Sequence, residues 1–170
     1  MNMRDALLQE FDLERPLTRR CLQRVPEGKN DWKPHEKSMT LGWLATFLAI
    51  SPIWGIGVIE HDVFDPSAQA GPPPKIPETN DGLLSLFDEH YEKCRDAVAK
   101  SSEEHLLKPW TLKMKGATLF TQPRWLVLRE YIFNHIIHHR AQLGVYLRMN
   151  DIAVPAIYND SADEKGGVFR

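Results

Sequence analysis

Residues 133–151 read FNHIIHHRAQLGVYLRMND, and three of the chain's seven histidines fall within five positions of this stretch. Its apolar residues recur at helical spacing, so it predicts a helix, and the fold turns on what the histidines face. At about 100° per residue, with His135 set at zero, His139 falls near +40° and Gln142 near −20°, while Leu128, Ile132, Leu143 and Tyr146 span roughly +20° to +80°. His135 and His139 therefore sit inside the apolar arc. His138 lies at its margin, near about −60°, and Arg140 towards the far side, near about +140°.

An imidazole on a core-facing stripe is unfavourable unless its nitrogens find partners. Two histidines at i and i+4 point the same way and suit a divalent ion between them. Carboxylates and carbonyls satisfy such a pair equally well. Two donors are also a sparse set: structural zinc takes four protein ligands, and catalytic zinc usually takes three plus water. As a metal site, the pair demands a third donor from another helix. Gln142 suits a hydrogen-bonding partner for an imidazole, or an amide at the edge of the core.

Working outward, four segments carry helical periodicity. The first runs from about Met3 to Val25, with Leu7, Leu8, Phe11, Leu17, Cys21 and Leu22 on one side and Pro16 as an expected kink or break. The second opens after Ser38 or Thr40 as N-cap, is apolar over much of its circumference, and carries Pro52. The third spans about Asn80 to Ser101. The fourth begins near Thr121 or Gln122, with Pro123 at a first helical position, and ends near Met149. Residues 60–79 hold five prolines and predict a long surface connection. Residues 103–121 are irregular, with a short hairpin expected in WTLKMKGATLF (110–120), turning at Lys115-Gly116. Together these predict an all-α fold: one domain over 1–170, a four-helix bundle with long crossover connections and a possible hairpin between its third and fourth helices.

The bulk numbers agree with a packed domain. The apolar content is 42%, with five Trp and seven Phe, enough for a real core. Net charge is −2 with a pI near 6.4, and no basic stripe points to nucleic acid. Cys21 and Cys94 lack metal-ligand spacing and read as buried thiols of a reducing cytoplasm. The start, MNMRDALLQEF, does not read as a signal peptide. The stretch 41–59 approaches a membrane span in length, yet Ser51, Pro52 and its glycines favour a buried helix. The expectation is a cytoplasmic protein without membrane or nucleic-acid partners.

Two blocks resemble a known family. FNHIIHHRAQLGVYLRMNDIAVPAIYNDSADE (133–164) is similar to the C-terminal signature of the DinB (YfiT-like) superfamily, with its H-x-x-H-H-R-x-Q pattern and R…P…Y…SADE run. DWKPHEKSMTLGWLA (31–45) is similar to the stretch that precedes that family's second helix. The resemblance implies a four-helix bundle, commonly a homodimer, in which many members hold nickel or zinc between helices two and four. Three histidines bind the ion there, and the pair on the last helix matches His135 and His139. The position of the second-helix histidine is occupied by Phe47, which has no lone pair.

Three readings follow from that departure. The site is lost and the pair persists as hydrogen-bonded core residues; or a weaker site persists on the pair and water; or a third ligand comes from His90 or Glu89, or from His61 or Glu60. His138 and Arg140 match family positions, or serve surface and interface packing. Tyr158 and the acidic run Ser161–Glu164 fold back over the bundle end, or stay solvated. The resemblance implies a metal-dependent thiol transferase, isomerase or hydrolase acting on a small-molecule or thiol substrate, in which the ion generates a nucleophile near neutral pH. The alternative is a non-catalytic binding or structural dimer, with Trp43, Phe47, Trp54 and Trp125 lining an apolar pocket.

Overall fold

The computed structural model describes residues 2–68 and 71–167. Two residues of the 60–79 connection and the last three of the tail lie outside them. Helix α1 (Met3–Leu22) begins at Asn2, whose side chain accepts the Asp5 N–H, and it runs past Pro16 as a single helix. Helix α2 (Leu41–Glu60) begins at Thr40, the second of the two expected caps, which accepts the Trp43 N–H at 3.2 Å. Helix α3 (Asn80–Lys100) begins at Thr79 in the same way. In each case a side-chain oxygen satisfies an N–H that the first turn leaves without a partner.

The last helical segment has three parts: α5 (Arg124–Val127), a π-helical turn (Leu128–Phe133) and α6 (Asn134–Met149). Pro123 sits one residue outside the helix, at the cap.

The all-α expectation is corrected by a small mixed sheet of three strands. β1 (Val63–Phe64) pairs parallel to β2 (Pro109–Met114), which pairs antiparallel to β3 (Ala117–Pro123). The hairpin turns where expected. Lys115 and Gly116 both take left-handed backbone angles, φ 51° and 79°, which a two-residue turn between twisted strands requires. The 60–79 connection is less irregular than its prolines suggest: it holds β1 and a 3-10 turn at Pro66–Ala68, and Asp65 and Ser67 accept the backbone N–H groups of Gly116 and Lys115. A further short helix, α4 (Glu103–Leu107), lies in the stretch read as irregular.

One core joins these elements. α2 packs on α3, α1 on α3, and α6 against both α2 and α1. Phe11 of α1 stacks on Tyr91 of α3 at 4.0 Å and on Phe133 at 4.9 Å. Leu44 and Leu48 of α2 and Leu128 and Leu143 of the last segment are fully buried. α2 is long and apolar enough to cross a membrane, but 61% of its apolar window is buried inside the fold, as in a core helix. Close packing also fixes small residues: a Cβ on Gly55 would fall 2.5 Å from the Cys94 sulfur. Beyond α6 the chain folds back. Asp163 pairs with Arg148 and accepts the Val154 N–H, while Glu164 pairs with Arg20 of α1 and with Arg24 just beyond it. The acidic run is thus tied down.

Candidate functional site

α2 and α6 lie side by side and bring the predicted site residues together. The Nε2 atoms of His135 and His139 are 2.9 Å apart, and Nδ1 of His139 lies 2.7 Å from the Gln142 amide oxygen. Burial pushes both imidazoles below the ordinary histidine pKa; the Tyr131 carbonyl beside His135 and Gln142 beside His139 pull the other way. The rings are therefore neutral near pH 7. With Gln142 presenting its oxygen, His139 carries its proton on Nδ1. Its Nε2 then presents a lone pair towards the Nε2 of His135, 2.9 Å away. His135 and Gln142 thus stand at hydrogen-bond distance from the two ring nitrogens of the buried His139.

Phe47 of α2 closes the site. Its ring stands edge-on to His135 and His139, with centroids 5.3 and 4.7 Å away, and edge-on to Trp54 at 5.1 Å. Trp43 is half-buried on the same α2 face, and Trp54 is 38% exposed. Trp125 packs against the core rather than joining this cluster in a ring contact. His138 is exposed, edge-on to His139 at 4.9 Å.

These residues do not make the set that a resident catalytic ion requires. Two nitrogens converge, but the third family position holds a phenyl ring. Among the described residues, no group of three or more His, Cys, Asp or Glu is placed to hold a metal. Of the other candidates, His90 lies against the Ala49 carbonyl at 3.3 Å and Glu89 pairs with Lys93, while Glu60 and His61 are exposed at the C-terminal end of α2. Catalytic zinc ordinarily has three protein ligands.

Arg140 is a correction. It is not a surface residue but 3% exposed, donating to Glu14 at 2.6 Å, to Thr18 at 3.2 Å and to the Tyr158 hydroxyl at 2.8 Å. Tyr158 in turn donates to the second Glu14 oxygen at 2.9 Å. Glu14 was not singled out from sequence, yet the signal is there: it falls within the row Leu7, Phe11, Glu14, Thr18, Cys21 of α1, all buried. A carboxylate on such a row demands a cation from a neighbouring helix. Burial pushes the thiols of Cys21 and Cys94 up to about 11 and about 12, which leaves them protonated and unreactive near neutral pH.

Comparison with known proteins gives the fold a context. The sequence pattern of the DinB family matches residues 1–165. A crystal structure of a DinB-like protein from Bacillus subtilis superposes with a TM-score of 0.69 at 21% identity, covering 88% of this chain and 96% of that one. A DinB-like protein from Bacillus cereus superposes with a TM-score of 0.68 at 18% identity, covering 91% and 97%. At such identities the likeness is one of fold. Among curated proteins none matches.

Proposed function

The chain belongs to the DinB family, and from that premise we propose that it is a member in which a hydrogen-bonded imidazole pair has replaced the metal triad: a non-catalytic, cytoplasmic homodimer that binds a small uncharged molecule. Its four long helical segments are read as the family's four-helix bundle. The observation that carries the reading is the chain from His135 through His139 to Gln142 beneath the Phe47 ring. Both ring nitrogens of His139 have a polar neighbour at hydrogen-bond distance, and the third donor position is apolar. The surface formed by Trp43, Phe47, Trp54 and the two neutral imidazoles carries no formal charge. A charged ligand would be desolvated there without compensation, whereas an apolar or aromatic one would not. The homodimer rests on the resemblance to the family, in which dimers are common.

A second reading has one observation in its favour. Two Nε2 atoms that approach to 2.9 Å also face a single point in space, which suits a nickel or zinc ion held by the pair and exchangeable ligands. The chain would then be a metal-dependent transferase or hydrolase acting on a thiol or other small substrate. Thermal unfolding separates the two, because an ion bound only to the native state raises its stability by mass action. The proposed reading expects the same midpoint with chelator, without it, and with added nickel or zinc. A midpoint that falls on chelation and returns with the ion favours the enzyme.

A further inference from the structure

We infer that the junction between the β2–β3 hairpin and the last helical segment is a binding site for one internal water molecule, held by Trp110, Gln122 and Arg124. The register of the hairpin brings the three together. Trp110 pairs directly with Gln122, and the Arg124 N–H extends the ladder to the Lys108 carbonyl at 3.1 Å. Directly paired residues of antiparallel strands share a face, as do residues two apart on one strand. Trp110 and Gln122 therefore lie on one face, together with Leu112 and Phe120, which pack against the core, and Arg124, the first residue of α5, reaches the same end of the ladder through its bond to the Pro109 carbonyl beside Trp110.

The chemistry at that face is specific. Trp110 is 5% exposed and Arg124 is 1% exposed. The guanidinium is pinned by its terminal nitrogens, which donate to the Pro109 carbonyl at 2.8 Å, to the His61 carbonyl at 3.2 Å and to Asp62. Three buried polar atoms remain without a protein partner among the described residues: the indole Nε1–H of Trp110, the Nε–H of Arg124 and the amide oxygen of Gln122. Leaving a buried donor or acceptor unpaired is unfavourable by about 1–3 kcal/mol for each group, and native interiors rarely tolerate several side by side.

Two donors and one acceptor match a water molecule. Its two lone pairs accept from Trp110 and Arg124, and one of its hydrogens goes to Gln122; buried waters typically make about three such bonds. An anion would suit the two N–H groups but repel the carbonyl oxygen. A cation would suit the oxygen but not the donors. A direct bond from Trp110 to Gln122 would satisfy two of the atoms and strand the arginine. The water so placed ties both strands to the first turn of α5, while the same arginine reaches the C-terminal end of α2.

Water-to-protein NOE and ROE spectra of the 15N-labelled chain test this, with the Trp110 indole signal assigned by its loss in Trp110→Phe. The expected result is a water cross-peak at that indole with NOE and ROE of opposite sign, the signature of a long-lived internal water, and its loss in Gln122→Leu while the other indole signals stay in place. Absence of the peak in the parent chain, or contact of the indole with the Gln122 side chain alone, would overturn the assignment. So would persistence of the peak in Gln122→Leu. Should that variant fail to fold, a high-resolution crystal structure of the parent decides. Density is expected within about 2.7–3.2 Å of all three atoms, and a dry junction contradicts the inference.

Discussion

The ring of Phe47 lies edge-on to His139, 4.7 Å between centroids and 69° between planes, where it caps the imidazole pair from the α2 side. An apolar ring at the third donor position leaves the two converging nitrogens one donor short of the family's three-histidine set. The missing component is a single lone pair, because the pair and its Gln142 support are already in place.

Restoring that lone pair is the first prediction. Phe47→His gives nickel or zinc binding that calorimetry detects under conditions where the parent chain shows none. Gln142→Leu added to that variant weakens the new site by roughly 10–100-fold, as loss of an outer hydrogen bond to a ligating histidine does elsewhere. No binding by Phe47→His would mean that the surroundings of the pair differ from the geometry described.

The buried pair Arg140–Glu14 gives a second prediction. Removing either partner alone strands a buried charge, so Arg140→Leu and Glu14→Leu should each destabilise by about 3–5 kcal/mol in urea unfolding. The double variant should lose far less than the sum, since neither charge is left behind. Additive losses would contradict a direct, buried pair.

Much of this was legible in the sequence, for reasons that differ by element. Helices α1, α2 and α3, the N-cap Thr40 and the turn at Lys115-Gly116 are set by local periodicity and turn chemistry, and both are printed along the chain. β1 is not: two residues hold no period, and Val63 opposite Thr111 is a pairing that only the finished fold creates. The π-helical turn at Leu128–Phe133 likewise has no residue signature. The inward pointing of His135 and His139 was readable from the wheel, as was Gln142 beside them. The buried Arg140 was not, because its angle faces α1 rather than α2, and only Glu14 on the apolar row of α1 announces the partner.

Packing at Gly55 gives a third prediction. Gly55→Ala forces a methyl to 2.5 Å from the Cys94 sulfur, an overpacking worth about 1–3 kcal/mol of lost stability. Cys94→Ala in the same chain removes the obstructing sulfur and should recover part of that loss. Equal losses with and without the cysteine would place the strain elsewhere.

The pH dependence of stability gives a fourth. Burial holds His135 and His139 below the ordinary histidine pKa, so the unfolded chain takes up protons first as pH falls. Their contribution is complete above the unfolded value of about 6.5 and is lost as pH falls from there through the folded values. Replacing both with Gln should therefore shrink the drop in melting temperature between about pH 7.5 and about pH 5, relative to the parent chain. An unchanged drop would show that these rings are not held neutral by the fold.

The most direct measurement is the metal content of the purified parent chain, taken by elemental analysis beside His139→Ala. The account predicts nickel and zinc far below one equivalent in both proteins. Near-stoichiometric ion in the parent that disappears in His139→Ala would contradict it and hand the site back to metal chemistry.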